Sequence, residues 1–529
     1  MSVLDRALGI FGLQRRPPAP VATRNIFTGA GHTRLLSDWV RQPLSADREI
    51  ESDLVRLKGR ARDLARNNAY AKRYVRMCRA HVVGPRGVQL RLCNTFANGK
   101  PYDAVNEAIE EAFEDWSKPR HASANGKLSW LGLQRLAVSE WATSGEALCL
   151  LRYDRSYKYG VALQPIDADR LDVTWNRARN TRTGEAEIRM GVELDEAGAP
   201  LAYHILDVHP ADIGSTAARA QYRRRYPASQ VIHLYKNDER VEQTRGVPEL
   251  AVAMRDLRHL DGFQEAALVQ ARTSAAAMGF IVTKSPDGDT TEPDEGLEFS
   301  AEAGVIRELG VGQEFQSWDP NQPSDTYAGF VKAVLRGIAA GLGASYAMMA
   351  NDLSDANYSS MRVGRAEEQE TWQELQTWFI DQFCERVFEA WYPSAVLSGA
   401  LVLPLSERRT FDDHDWIPRR WASVDPVKDV EADERRIALG VTSRQRISAR
   451  DGDDLWEVME DLAEEQDEAT RLKITITPTK AAGGMPNGQA DQSADAGSGD
   501  DAGAGSGGAS DASGGGRANP HFALVRTAG

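Results

Sequence analysis

SDTYAGFVKAVLRGIAAGLGASYAMMANDLSDANYSSMRVGRAEEQETWQELQTWFIDQFCERVFEAWYP, residues 324–393, reads as a helix, a polar loop and a longer helix. Tyr327, Phe330, Val331, Val334, Leu335, Ile338 and Leu342 recur at three- and four-residue steps, which puts one apolar stripe on an α-helix and requires a surface to cover it. Lys332 and Arg336 lie four apart and share a polar face of the same helix. Gly341 and Gly343 weaken its end, and Asn351, Asp352, Asp355 and Asn357 are turn formers whose side chains compete for the backbone. Tyr358 is expected within this loop. Ser359 or Ser360 then offers a cap for the second helix, whose Glu367, Glu368 and Glu370 lie near its positive end. Trp372, Leu375, Phe379, Phe383, Val387 and Trp391 repeat with helical spacing up to Pro393, the expected stop. A helix from Met361 to Tyr392 would measure roughly 48 Å, long for a core element.

Composition narrows the class. A chain of 529 residues with 42% hydrophobic content has room for several globular domains. The formal net charge of −14 argues against a protein that coats nucleic acid with a broad basic surface, yet suits the wall of a duct that must not hold its cargo. Cys78, Cys93, Cys149 and Cys384 lack the short paired spacing of zinc sites and read as reduced, buried small hydrophobes. No apolar run approaches the roughly 18 residues of a membrane span, and the N-terminus carries no secretory signal pattern. Its first sixteen residues can form a short amphipathic helix suited to a neighbouring subunit or a membrane surface.

The remaining chain alternates helical and strand patterns. Residues 45–80 are helical and the most basic stretch, with Leu54, Leu57, Ala61, Leu64 and Ala65 on one side and Arg56, Lys58, Arg60, Arg62, Arg66, Lys72, Arg73, Arg76 and Arg79 on others. That stretch is read either as a contact for DNA or acidic neighbours, or as a solvated face. Helices follow over 103–116 and 130–144. The runs ALCLLRY, VALQPI, RLDVTW, GVELDEAGAPLAYHIL and QVIHLY point to an antiparallel sheet. Residues 214–227, with Arg219, Arg223, Arg224 and Arg225, read as an exposed insertion loop. GVPEL (246–250) opens another helix, and 280–322 breaks into short strand-like pieces. A helical tail spans 426–472 with a turn at Gly440, and from about Thr479 Gly, Ala, Ser and Asp dominate, too polar to build a core.

Motifs for chemistry are missing. The glycine cluster GIAAGLGA (337–344) has no lysine and follows no strand, so it is no phosphate-cradling loop. No H-E-x-x-H, G-x-S-x-G or C-x-x-C is present, and the nine histidines are scattered. No catalytic residue, metal site or cofactor is therefore expected. The alternative is a metal-dependent nucleic-acid-processing enzyme built from scattered carboxylates, or a packaging adaptor.

Residues 324–362 resemble the corresponding segment of the lambda-type bacteriophage portal proteins, in which a stem helix, a tunnel loop and a tunnel helix follow one another. GRARDLARNNAYAKRYVRMCRAHVVGPRGVQL (59–90) and VIHLYKNDERVEQTRGVPELAVAMRDLRHLDGFQEAALVQARTSAAAMGFI (231–281) are similar to the same family, and the likeness runs from about Ile26 to Lys473. The resemblance implies an α+β, mainly helical portal fold with wing, stem, clip and crown. It places an N-terminal arm over 1–45, a wing of helices and antiparallel sheet over 46–245, and a first stem helix over 246–279. A clip over 280–322, a second stem helix over 323–345, a tunnel loop over 346–360 and a tunnel helix over 361–392 follow. The C-terminal wing and crown take 393–475, and 476–529 is a disordered tail.

It also implies a ring, dodecameric in the family, at one capsid vertex of the virion, assembled in the bacterial host cytoplasm. Double-stranded DNA would pass through it during packaging and ejection, touched without regard to sequence. The implied partners are the terminase large subunit, the major capsid and scaffold proteins and a head-tail adaptor, with no membrane. Lys332, Arg336, Asn351, Asn357, Tyr358, Arg362 and Arg365 are expected at the DNA channel, or else paired with Glu367 or Glu368 of a neighbouring copy. Asp287, Asp289, Glu292, Asp294 and Glu295 of the clip are expected to meet the packaging motor, or to be solvated.

Overall fold

The computed structural model describes residues 43–95, 102–213, 219–238, 240–275, 279–283, 313–317, 326–354, 357–403, 411–421, 426–451 and 455–473. By contact density the chain divides into two units, Met1–Val458 and Met459–Gly529. The first is α+β and mainly helical.

Helix α1 (Ala46–Asn67) buries Ile50, Leu54, Ala61 and Leu64, as the apolar spacing predicts, and Lys58 with them. It ends at Asn68, whose side-chain oxygen accepts the Ala71 N–H at 2.9 Å and so caps α2 (Ala69–Cys78). A π turn, Arg79–Val83, continues α2. Helix α3 (Asp103–Trp116) buries Val105, Ile109 and Phe113. Helix α4 (Trp130–Ser144) closes on Gly145 in the left-handed conformation, φ 80°. A Cβ on Gly145 would lie 2.3 Å from the Val247 carbonyl carbon, and one on Gly246 only 1.9 Å from the Gly145 oxygen. These two glycines let the end of α4 and the segment 244–248 run backbone against backbone.

Strand β1 (Gln89–Leu92) pairs antiparallel with β11 (His414–Ile417), tying the two ends of the unit together. Strand β2 (Glu146–Tyr153) lies between β3 (Val161–Ile166) and β8 (Val231–Tyr235), all antiparallel. A second antiparallel sheet runs β4 (Glu187–Arg189), β5 (Val192–Leu194), β6 (Pro200–Leu206), β7 (Arg223–Pro227). Two expectations change here. RLDVTW forms a turn instead of a strand, because the Asp172 carboxylate accepts both the N–H and the hydroxyl of Thr174, at 3.2 and 2.7 Å. Residues 223–227 of the supposed loop are a strand, and its arginines are matched within the chain. Arg223 pairs with Asp172 and lies 4.1 Å over the Trp175 ring, Arg224 pairs with Asp207, and Arg225 with Glu193.

A 3-10 turn at Glu249–Ala253 leads into α5 (Met254–Ala275). Strands β9 (Gly279–Thr283) and β10 (Gln313–Ser317) pair antiparallel across the intervening residues. Helix α6 (Thr326–Gly341) packs on α5 through Phe263, which stacks on Tyr327 at 5.5 Å and meets Phe330 edge-on at 4.9 Å. After the short α7 (Tyr346–Ala350) come α8 (Tyr358–Phe379), a π turn at Ile380–Cys384, and α9 (Glu385–Leu397). Helix α8 thus starts before the expected caps, at Tyr358, with the Asn357 carbonyl accepting Met361 N–H at 2.9 Å. Nor does Pro393 end the run. Its ring removes one N–H, but the carbonyl that loses its partner belongs to Glu389, a residue on the exposed side of the helix, while buried Trp391 and Ala395 hold the last turn.

The core gathers the tryptophans: Trp130 stacks on Phe383 at 5.6 Å, and Phe113 meets Trp391 edge-on at 5.0 Å. Beyond β11, α10 (Pro426–Ala438) turns at Gly440, φ 69°, into α11 (Arg444–Asp451). Their join is polar, with Arg450 forking onto Asp433 at 3.1 and 2.6 Å. An acidic helix, α12 (Leu455–Leu472), closes the described chain.

Candidate functional site

The turn between α6 and α8 is where the chemistry-bearing residues converge. Helix α6 unwinds at Gly343, φ 63°, and Asn351 takes the left-handed conformation at the end of α7, φ 54°, which asparagine tolerates better than most residues. These two reversals fold α7 back under α6. Lys332 and Arg336, one turn apart on α6, then reach over the Tyr346 ring at 5.9 and 5.6 Å. The Tyr346 hydroxyl donates to Asp352 at 2.7 Å, and the second carboxylate oxygen of Asp352 accepts the Ser354 hydroxyl at 2.6 Å and its N–H at 3.0 Å. The Ser354 hydroxyl, then the Tyr346 hydroxyl, hold the Asp352 carboxyl well below the usual carboxylate range, with Lys332 adding to the effect. Asp352 stays ionised and braces the turn.

Between α6, α7 and α8 lies a cleft of about 240 Å³ lined by Lys332, Arg336, Tyr346, Asp352, Arg365 and Glu368. Glu368 is engaged inside its own chain, accepting the Trp372 indole N–H at 3.3 Å and the Ser345 N–H at 3.4 Å. Arg73 of α2 donates to the Met348 carbonyl at 3.1 Å, joining the basic helix of the N-terminal half to this turn. A site with three cations against two carboxylates, one tyrosine face and no shaped pocket for a base suits backbone phosphates rather than base edges.

Of the residues expected at the channel, Lys332, Arg336 and Arg365 share the cleft, and Asn351 makes the adjoining turn. Asn357 stands at the start of α8, and Arg362 points elsewhere, 4.0 Å from Asp429. Tyr358 is the first residue of α8, and its side chain lies outside the described residues. So do Asp287, Asp289, Glu292, Asp294 and Glu295. The sequence reading missed Tyr346, since nothing in its spacing announces that an unwound helix would fold it beneath two cations.

Among the described residues, Asp167, Asp169 and His209 come close enough to hold a metal ion, within 4.8 Å of one another. Arg62 already bridges both carboxylates, 2.9 Å from Asp167 and in contact with Asp169, so a guanidinium supplies the positive charge there. That weakens the metal-dependent reading of the chain.

Residues 32–376 match the family described as phage portal protein, lambda family. The chain belongs to that family. A probable portal protein of Halomonas phage phiHAP-1 is 32% identical over 507 residues, covering 93% of this chain and 97% of the relative. Portal protein B of Escherichia phage lambda is 23% identical over 476 residues, covering 81% and 87%. Among solved structures, the neck of the native gene transfer agent particle computed with C12 symmetry superposes at a TM-score of 0.43 and 15% identity, covering 78% of this chain and 96% of that one. That likeness is too loose to carry argument. Membership of the portal family gives the chain its role: a component of the virion at a capsid vertex, through which DNA is packaged. Among the described residues, no helix is long and apolar enough to cross a membrane.

Proposed function

We propose that copies of this chain form a ring, twelve in number as the family resemblance implies, and that the α6–α8 turn lines its bore and touches passing duplex. The observation that carries this is the convergence of Lys332, Arg336 and Arg365 on one cleft at the turn between two long helices. In this reading α5 and α6 form the stem, and the β9–β10 pair belongs to the clip that faces the terminase. The acidic clip residues 287–295 are its docking contacts, and a separate ATPase supplies the energy, so the chain itself is structural. Head-tail adaptor, capsid and scaffold proteins complete the set of proposed partners.

Cations on a braced but shallow cleft attract phosphates without gripping them, which lets DNA slide. The test is the mass and image of the purified protein. A particle of many 58.2 kDa protomers around an axial hole is expected. A monodisperse monomer or dimer under all assembly conditions would end this reading.

A further inference from the structure

We infer that the exposed face of α2 carrying Lys72, Arg76 and Arg79 is a second contact for the phosphodiester backbone of duplex DNA, continuous with the α6–α8 cleft. The inference rests on the channel reading above and extends it to a helix far away in sequence. Helix α2 buries Ala71, Tyr74, Met77 and Cys78, and this leaves Lys72 and Arg76 on its opposite side, with Arg79, the first residue of the π turn, following at i, i+4, i+7. Several cations of the same half are matched, Lys58 with Glu146, Arg62 with Asp167 and Arg225 with Glu193. Among the described residues, Lys72, Arg76 and Arg79 make no ion pair.

Two observations tie this face to the cleft and place further cations beside it. Arg73, beside Lys72, donates to Met348 at the cleft. His81, in the π turn that continues α2, accepts the Trp421 indole N–H and an Arg419 N–H on the same ring nitrogen, each at 2.9 Å. The charged groups acting on it from the three elements packed around it are all cationic: Arg73 of α2, Arg365 of α8 and Arg419. Burial and then these three guanidinium groups push its pKa down to about 4. A surface this positive in a chain of net charge −14 calls for an anion.

The form of the face favours a repeating anion. Three long side chains over about 10 Å of helix, with no pocket between them, suit successive phosphates of one strand and offer nothing to read a base. An acidic surface on another copy of the chain is the competing occupant, and the test separates the two.

The assembled full-length protein is titrated with a short fluorescent linear duplex of mixed sequence between about 50 and 200 mM salt. Glutamine keeps helix propensity, so K72Q/R76Q/R79Q should fold and melt like the parent. It should bind about tenfold or more weakly, with a log K against log salt slope shallower by about 2 to 3, while K72R/R76K/R79K binds as the parent does. The cleft variant K332Q/R336Q/R365Q is measured alongside. If the cleft variant weakens binding and the α2 variant does not, the inference fails and the channel reading stands. If neither weakens it, the channel reading fails too. If the α2 variant instead loses assembly, the face binds a neighbouring copy and the inference is overturned.

Discussion

A proton on His81 Nδ1 would meet two donors at once, the Trp421 indole and the Arg419 guanidinium, so the folded chain holds this imidazole neutral with its hydrogen on Nε2. Its ring stacks on Trp372 at 4.9 Å, and Gln376 donates to its carbonyl at 2.7 Å, so α8 fixes where the ring lies. An unfolded chain takes up the proton below about pH 6.5 and the folded one only near 4. His81 therefore contributes stability that is intact above pH 6.5 and is lost as pH falls towards 4. The urea midpoint of the parent should drop between about pH 7.5 and about pH 5. In His81→Gln, which keeps an acceptor and cannot titrate, the drop should be smaller, though not zero, since burial also lowers His233. An identical drop in both proteins would show that His81 is not the titrating group. None of this was legible from the sequence, where His81 is one of nine scattered histidines and its two tryptophan neighbours lie about 300 residues away. Lys332 and Arg336 were legible because helical spacing alone puts them on one face.

Between elements, the connection from the β2–β3–β8 sheet to α5 depends on one carboxylate. Glu146 of β2 accepts Lys58 of α1 at 2.7 Å, His233 of β8 at 2.9 Å and Arg245 at 2.8 Å, with all four side chains buried. Arg245 also donates to the Met190 carbonyl at 2.7 Å. Burial alone would raise the Glu146 pKa, but Arg245 and Lys58 outweigh it and keep it well below the ordinary value. Glu146→Gln leaves buried Arg245 without its counter-charge and Lys58 with Asp169 alone, 3.7 Å away, and should lower unfolding stability by about 3–5 kcal/mol. Asp53→Asn, which breaks an exposed pair with Arg56 at 3.8 Å, should cost under about 1 kcal/mol. Chemical denaturation of the two variants checks the contrast, and a Glu146→Gln midpoint as close to the parent as that of Asp53→Asn would remove the cluster's structural role. Helix positions were legible at this scale because apolar stripes have a period, as α1, α3 and α4 show. The Glu146 cluster was not, since its members come from four separated segments. Pro393 misled for a related reason: whether a proline ends a helix depends on whether the orphaned carbonyl can reach water.

For the molecule as a whole, the question is what covers the apolar side chains that a single chain leaves in solvent. Helix α5 is anchored by Leu257 and Leu260 in its first half, but further along Leu268 is 66% exposed and Val269 55%. On α6, Leu335 and Ile338 are buried while Phe330 remains 52% exposed. Apolar spacing in the sequence required a covering surface for α6, and the single chain supplies only part of it. Single exposed hydrophobes are ordinary, but several on two helices that pack against each other mark a contact surface. If neighbouring copies supply the rest, a charge placed there does little to the protomer and much to the assembly. Leu268→Glu should leave the protomer's far-ultraviolet circular dichroism and melting like the parent's, because the side chain is solvated when the chain is alone. In a ring the same carboxylate is desolvated at every copy, at several kcal/mol each, a cost that Arg272, four residues further along α5, offsets only in part. The expected mass by native measurement is that of the 58.2 kDa protomer, where the parent gives a multimer. A Leu268→Glu protein that assembles as well as the parent would show that this side of α5 faces solvent in the ring and that the copies meet through another surface.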